Sequence, residues 1–180
     1  MRHFPIFLDL RGRRVAVAGG GEIAVAKLRL LLKTEARINV AAAEACDEIR
    51  RWHEEGRLVW HARPFGPEDA ICAPLVYGAT GDADEDAQIK RIAEGAGALV
   101  NIVDDLENSD FITPAIVDRD PVTVAIGTEG AAPVLARRIK AQNEERLAPT
   151  LGTLARLGQH RRHAVEALPP GRARRDFWTA

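Results

Sequence analysis

The most informative stretch of this chain is Val15-Ala16-Val17-Ala18-Gly19-Gly20-Gly21-Glu22-Ile23-Ala24. Its first four residues predict a short buried strand, and the residues after the three glycines predict a helix with an apolar side. Gly19 and Gly21, followed by the small Ala24, satisfy the pattern G-x-G-x-x-G/A between the strand and the helix. The first glycine permits a tight turn, and the second lets the backbone approach a pyrophosphate at the amino end of the helix. The stretch therefore predicts a dinucleotide site.

The end of the second predicted strand decides which dinucleotide binds. In dinucleotide-binding folds an acidic residue there bonds the ribose 2′-hydroxyl, whereas a nearby arginine accommodates a 2′-phosphate. Ala43 leads to Glu44 at this point, and no lysine or arginine lies just beyond the strand end. The sequence therefore predicts NAD as the cofactor. The predicted cofactor-binding residues are Gly19, Gly21, Glu22, Ile23, Ala43, Glu44 and Thr80.

Short apolar runs alternate with helical patterns in the first part of the chain. The predicted strands are residues 15–18, 37–41, 58–60, 75–78 and 99–103, and the predicted helices are residues 22–33, 44–55 and 82–94. Alternation with short connections implies right-handed crossovers and a parallel sheet with both faces covered. We therefore expect an α/β fold with a Rossmann-like parallel sheet.

The pattern changes in the rest of the chain. β-branched runs joined by a turn-rich connection predict two strands, and two helical segments follow. These expected elements are strands 111–117 and 122–126, a helix over 133–147, and a last segment marked by Leu151, Leu154 and Leu157. The hairpin cannot join the sheet edge and also bury both of its faces, so we expect it to self-associate. We divide the chain into an NAD-binding domain (1–113), a dimerisation region (114–147) and a helical tail region (148–180).

Composition narrows the class of protein. A chain of 180 residues with 46% hydrophobic and 28% charged residues is ordinary for a globular protein. Cys46 and Cys72 lack C-x-x-C spacing, which favours a reducing compartment over a disulfide framework. The apolar run 4–8 is too short for a signal peptide, and no run approaches the ~20 apolar residues that cross a bilayer. We expect a cytoplasmic protein without a membrane partner.

The charge distribution leaves several readings open. Residues 151–180 carry six arginines against Glu166 and Asp176, whereas the chain as a whole has a net charge of −1. Such a basic segment is compatible with a nucleic acid, a membrane surface or a polyanionic small molecule, and also with a solvated helical face. It lacks a recognisable nucleic-acid reading motif, so we expect no nucleic-acid partner.

Several further segments combine with the glycine stretch into a family pattern. They are 4–10 (Phe-Pro-Ile-Phe-Leu-Asp-Leu), Lys27, Ala79-Thr80, 101–105 (Asn-Ile-Val-Asp-Asp), 111–119, 130–137 and 174–178 (Arg-Arg-Asp-Phe-Trp). In this order and spacing the chain resembles, over nearly its whole length, the amino-terminal module of siroheme synthase and the stand-alone precorrin-2 dehydrogenases. The resemblance implies NAD-dependent oxidation of the tetrapyrrole precorrin-2, which bears eight carboxylates, to sirohydrochlorin. It also implies a homodimer and, in bifunctional members, ferrous iron as a further substrate.

The resemblance assigns roles to individual residues. It implies that Asp104, just after the fifth strand, is the general base, although a strand-ending turn would also place an aspartate there. Arginines bind carboxylates bidentately, so Arg119 and Arg137 are candidate substrate-binding residues together with Thr128. In this chain Gly127-Thr128-Glu129-Gly130 replaces a serine-rich turn, and Glu129 adds a negative charge.

Two alternatives to the bifunctional enzyme stay open. One is a dehydrogenase that leaves iron insertion to another protein. The other is a non-catalytic NAD-sensing module, since a similar fold would suffice for it. The five histidines lack the spacing of a zinc or di-iron site, so we predict no protein metal ligands.

Overall fold

Five of the short apolar runs form one parallel sheet in the computed structural model, which describes residues 1–166 and 171–172. The strands are β1 (Arg14–Ala18), β2 (Arg37–Ala41), β3 (Val59–His61), β4 (Leu75–Gly78) and β5 (Leu99–Ile102). They lie in the order β3-β2-β1-β4-β5, and each neighbouring pair is parallel. The chain changes direction across the sheet between β1 and β4, and ligands bind outside the carboxyl ends of strands at such a switch point. The predicted α/β fold with a Rossmann-like sheet is confirmed.

Helices cover both faces of this sheet. They are α1 (Glu22–Leu31), α2 (Asp47–Glu54), α3 (Pro67–Ala70) and α4 (Ala83–Gly95). Because successive strand residues point to opposite faces, the sheet separates two apolar layers. The layer beneath α1 and α2 includes Val15, Val17, Leu28, Ile49 and Trp52. The layer beneath α4 includes Ala16, Val76, Ile89, Ala93 and Val100.

Two helix ends differ from the sequence prediction by two or three residues, each for a local reason, and one short helix is not predicted. Helix α1 ends at Leu31 rather than at residue 33, where the Thr34 hydroxyl donates a hydrogen bond of 2.7 Å to the Leu31 carbonyl. Helix α2 begins at Asp47 rather than at residue 44. The Cys46 N–H before it donates to the Gly20 carbonyl at 2.8 Å, so residues 44–46 form a loop. The sequence does not predict α3, because four residues are too few to show a helical period.

The rest of the chain forms a second unit. The chain divides into two compact units, Met1–Ile112 (unit 1) and Thr113–Ala180 (unit 2). Unit 2 contains the antiparallel pair β6 (Ala115–Arg119) and β7 (Val122–Ile126) and the helices α5 (Pro133–Arg146) and α6 (Leu151–Glu166). The predicted hairpin and both predicted helices are therefore present.

The first strand of the hairpin begins later than the sequence predicts. Strand β6 starts at Ala115 rather than at residue 111. Phe111 belongs to unit 1, where its ring packs edge-on against Tyr77 with ring centroids 5.4 Å apart. Its carbonyl also accepts a hydrogen bond of 2.7 Å from the Asn101 side chain. These contacts hold residue 111 beside β5 and keep it out of the hairpin.

Two further expectations concern the described range. Within residues 1–166 and 171–172, no helix is long and apolar enough to cross a membrane. Pro169 and Pro170, expected to end the last helix, and the segment 174–178 lie outside the described residues.

Candidate functional site

The glycine turn after β1 is enclosed by the loops that follow two neighbouring strands. Gly19 has a φ of +120°, which residues other than glycine rarely adopt. Its N–H donates to the Ala41 carbonyl of β2 at 3.1 Å, and a Cβ atom at Gly19 would collide with the Ala79 carbonyl after β4. A Cβ atom at Gly20 would collide with the Glu44 carbonyl. Backbone packing therefore requires glycine at both positions.

Gly21 differs from the two glycines before it. A Cβ atom placed there would meet no atom of the described chain within 4 Å, so the residue faces open space. Gly21 precedes α1 and has no side chain to cap it. The first intrahelical bond runs from the Val25 N–H to the Gly21 carbonyl at 3.1 Å, so the earlier N–H groups, including those of Glu22 and Ile23, lack intrahelical acceptors. This open helix end fits a dinucleotide pyrophosphate.

The loop after β2 supplies the second predicted part of the dinucleotide site. Ala43 and Glu44 are both exposed at the carboxyl edge of the sheet. The loop is fixed on both sides, because the Cys46 N–H bonds Gly20 and the Trp60 indole donates to the Ala42 carbonyl at 3.0 Å. The Glu44 carboxylate thus stands in solvent on an ordered loop beside the glycine turn.

The loop after β4 closes the other side of the glycine turn. The Ala79 N–H donates to the Ala18 carbonyl at 2.8 Å. The Thr80 hydroxyl donates to the buried carboxylate of Asp86 at 2.9 Å, while Asp82 accepts from the N–H groups that begin α4. The predicted nucleotide contact of Thr80 stays a prediction. In this structure its hydroxyl fixes the loop.

The turn after β5 separates two neighbouring carboxylates. Asp104 is exposed and has a φ of +63°. Asp105 accepts from the Asn108 side chain at 2.6 Å, and this bond, with the Asn108 backbone N–H, holds the pKa of Asp105 below its ordinary value. The Val103 N–H donates to the Gly78 carbonyl at 2.9 Å and fixes the turn to the end of β4. Asp104 is therefore the carboxylate presented at the carboxyl edge.

Sequence reasoning gave no role to two polar residues near this edge. Lys27 on α1 is half-buried; burial lowers its pKa, and the negative charge of Asp104 opposes that shift. Asn101 in β5 is buried, and its Oδ1 atom has no hydrogen-bond partner in the described part of the chain. The family pattern includes both residues, yet their burial depends on how α1 and residue 111 pack against the sheet.

The candidate substrate-binding residues of unit 2 differ in their hydrogen bonds within the protein and in their exposure. The Arg119 guanidinium donates to the carbonyls of Leu147 (2.9 Å), Glu144 (3.0 Å) and Asp118 (2.9 Å), so it closes the carboxyl end of α5. A substrate carboxylate would have to compete with these bonds. Thr128 is half-buried in a turn, and Arg137 is exposed on α5.

A separate groove in unit 1 lies away from these residues. It has a volume of about 830 Å³ and opens at the amino ends of β1, β2, β4 and β5. Its polar lining includes Arg13, Arg14, Arg37, Asn39 and His61. Ligands of open parallel sheets bind at the carboxyl ends, so the glycine turn and Asp104 define the candidate site. Within the described residues, no group of three or more His, Cys, Asp or Glu side chains could hold a metal ion.

Comparison with known proteins agrees with this geometry. The family model of putative NAD(P)-binding domains matches residues 6–115, and the model of the sirohaem synthase dimerisation region matches residues 150–180. The second match lies downstream of the segment 114–147, for which the sequence predicts dimerisation, so that domain assignment stays a prediction.

Relatives resemble the chain over its full length. Over 179 residues it is 42% identical to a siroheme synthase of Photorhabdus laumondii and 43% identical to one of Chromobacterium violaceum. Each match covers 99% of this chain and 38% of the relative, so the chain spans little more than a third of their length. A solved precorrin-2 dehydrogenase, SirC, superimposes with a TM-score of 0.73 and 27% identity, over 96% of this chain and 85% of that one. This chain therefore belongs to the family of putative NAD(P)-binding domains. Over 99% of its length it is also similar to one part of the siroheme synthases.

Proposed function

We propose that this protein oxidises precorrin-2 to sirohydrochlorin with NAD, as a homodimer in a reducing compartment such as the cytoplasm. One observation carries the proposal. An open helix end at Gly21 and an exposed carboxylate at Asp104 follow β1 and β5 at the same edge of a parallel sheet. The likeness to a precorrin-2 dehydrogenase over 96% of the chain supports this substrate. The unpaired Cys46 and Cys72 agree with a reducing environment.

The residues around the glycine turn would hold the cofactor. The N–H groups of Glu22 and Ile23 would bind the pyrophosphate, and the tight turn at Gly19 would let the backbone approach it. Ala43 and the exposed Glu44 carboxylate would bind the ribose, which favours NAD over NADP because a 2′-phosphate would meet a negative charge. Bound there, NAD supplies the acceptor for a hydride.

Asp104 would supply the general base. Oxidation of the reduced tetrapyrrole removes a hydride and a proton, and the Asp104 carboxylate accepts the proton. Asp104 is exposed, whereas Asp105 is engaged by Asn108. Thr128 and Arg137 remain the candidate contacts for the substrate carboxylates, and Arg119 would join them only by leaving the end of α5.

The test is anaerobic turnover of precorrin-2 with NAD, followed by absorbance. We expect sirohydrochlorin to form, and Asp104→Asn to lower kcat by about 10²–10⁴-fold, the usual contribution of a general base, with the Kd for NAD unchanged. Asp105→Asn is the matched control, since it removes the neighbouring carboxylate, and its kcat should stay near that of the unaltered protein. If the unaltered protein binds NAD but does not oxidise precorrin-2, the proposed dehydrogenase activity is wrong and an NAD-sensing module is supported.

The same anaerobic absorbance assay also tests iron insertion. Ferrous iron is added once sirohydrochlorin has formed, and the rate of siroheme formation is compared with the spontaneous rate. Because the macrocycle itself offers four nitrogen ligands, the protein need only accept the pyrrole protons, a role open to Asp104. A rate equal to the spontaneous one would make this protein a dehydrogenase without chelatase activity.

A further inference from the structure

Lys27 occupies an unusual position on α1. Its neighbours Val25 and Leu28 are fully buried against the sheet, whereas Ala26 and Arg29 are exposed. Lys27 itself is half-buried, so its side chain runs along the flank of the helix. A lysine on a solvated helical face would leave its amine in water, and this one gives up part of that hydration.

The flank that carries Lys27 faces the ends of β4 and β5. Ile23 lies one turn earlier on the same side of the helix, because residues four apart share a face. Its Cδ1 atom would lie 3.1 Å from a Cβ atom at Gly81, in the loop after β4. Helical side chains lean toward the amino end of their helix, which here is the carboxyl edge of the sheet. The Lys27 side chain therefore extends toward that edge.

Asp104 acts on Lys27 from the turn after β5. The turn that carries it is bonded to the end of β4 by the Val103 N–H. In the described part of the chain, however, no carboxylate lies within 4.0 Å of the Lys27 ammonium. The amine and the carboxylate share one edge without forming an ion pair.

A partly dehydrated ammonium without a close anion is unfavourable. Burial lowers the pKa of Lys27 from its ordinary value, and Asp104 offsets only part of that shift. An anionic group placed between Lys27 and the turn that carries Asp104 would replace the hydration that the ammonium has lost. A hydrogen bond between two charged groups is stronger than one between neutral groups. The proposed substrate carries carboxylates around its rim and must lie beside Asp104.

We propose that Lys27 is a substrate-binding residue that receives a carboxylate of the tetrapyrrole beside Asp104. This inference rests on the proposed function and adds to it a residue from the NAD-binding unit. It also explains why a cation suits this helix flank: the ammonium fixes one edge of the macrocycle while Asp104 takes up the proton.

The test separates substrate binding from cofactor binding. In Lys27→Met we expect the KM for precorrin-2 and the Kd for sirohydrochlorin, measured by absorbance titration, to rise by roughly 10–100-fold, the loss of one hydrogen bond to a charged group. The kcat and the Kd for NAD should change little. Lys27→Arg, which keeps the charge, should recover most of the affinity. Lys33→Met, which removes an exposed lysine just beyond the same helix, should match the unaltered protein.

Three outcomes would overturn the inference. They are a weaker Kd for NAD with an unchanged Kd for sirohydrochlorin, a lower kcat with an unchanged KM, and no effect of Lys27→Met at all. If Lys27→Met does not fold, Lys27→Gln replaces it in the same titrations. An unaltered protein that binds sirohydrochlorin but does not oxidise precorrin-2 would contradict the proposed function, while the sirohydrochlorin titration would still test Lys27.

Discussion

Unit 1 and unit 2 differ in how much core each builds from its own residues. Both faces of the five-stranded sheet are covered, and Val15, Val25, Leu28, Val76 and Val100 are completely buried. Among the described residues of unit 2, only Val117 and Ala136 have buried apolar side chains. Large apolar side chains of the same unit are exposed, among them Val134 (71%), Leu154 (65%) and Leu157 (55%).

This difference indicates what each unit requires. A small unit buries too little apolar surface by itself to offset the entropy of ordering its chain. Contiguous exposed apolar surface in such a unit marks an interaction site. Unit 1 can therefore stabilise a nucleotide site alone, whereas unit 2 fits the proposed homodimer, in which a second copy covers Leu154 and Leu157. Defects introduced into one unit should therefore leave the function of the other unit intact.

The largest effect is expected from the glycine turn of unit 1. Gly19→Ala forces a Cβ atom against the Ala79 carbonyl at a φ of +120°. Backbone strain and overpacking together should lower the free energy of unfolding of unit 1 by about 2–5 kcal/mol, and NAD binding should be lost with the loop geometry. Tryptophan fluorescence during thermal unfolding measures this in a Trp178→Phe background, so that Trp52 and Trp60 report on unit 1.

Gly21→Ala is the matched control for Gly19→Ala. Its φ of −98° suits alanine, and the added methyl group meets open space, so unfolding should change by less than about 1 kcal/mol. The methyl group would still occupy the space left for the pyrophosphate, so the Kd for NAD should rise by about tenfold, within the cost of overpacking. The dimer should persist in both variants. A monomeric Gly19→Ala protein with intact NAD binding would contradict the separation of the units.

The second effect is expected at the exposed apolar surface of unit 2. Leu157→Asp places a charge where the homodimer would bury a leucine, and losing that burial costs about 1.5–3 kcal/mol. The dimer Kd should therefore rise by roughly 10–100-fold, measured by sedimentation velocity, with NAD binding retained. Ile71→Asp is the control, because Ile71 of unit 1 is similarly exposed (57%) and should not affect association. If Ala125→Asp on the hairpin dissociates the dimer and Leu157→Asp does not, the segment 114–147 is the interface.

The sequence predicts best those features that depend on neighbours along the chain. The glycine turn, the strands and the helix periods all depend on spacings of a few residues, and each lies within four residues of its predicted position. The α3 helix is too short to show a period, and the late start of β6 depends on the packing of Phe111 against Tyr77. Such contacts join residues distant along the chain, which periodicity does not describe.

The candidate site shows the same limit. The family resemblance selects Asp104 over its neighbour Asp105 without a physical reason, and the backbone conformation and the Asn108 bonds in the structure supply that reason. Arg119 resembles a substrate ligand in the sequence, yet it bonds carbonyls 25 and 28 residues away. The partial burial of Lys27 depends on where α1 lies against the sheet. The sequence therefore predicts which residue types can perform the chemistry of a site. Whether a given side chain is free to perform it depends on contacts that only the folded structure shows.

The smallest effect tests whether unit 1 also carries its own acid sensitivity. Asp69 in α3 is buried, and burial would raise its pKa, but hydrogen bonds from Arg63 at 2.7 Å and from the Gly66 N–H hold the pKa below the ordinary value of an aspartate. A lowered folded-state pKa stabilises the fold above the unfolded pKa, and that stability is lost as the pH falls through the folded value. Asp69→Asn should lower the unfolding free energy by about 1–2 kcal/mol at pH 7.

The pH dependence distinguishes this carboxylate from a surface charge. The difference between Asp69→Asn and the unaltered protein should shrink as the pH falls below about 4, because only the unaltered protein loses the ionised Asp69–Arg63 interaction there. Glu68→Gln is the control: Glu68 also pairs with Arg63, at 3.2 Å, but its side chain is 59% exposed, so its removal should cost less than about 1 kcal/mol. The measurement is thermal unfolding of unit 1 between pH 2 and 8. An equal loss at every pH would show that Asp69 acts through packing alone, and a shift in the dimer Kd would show that the two units are coupled.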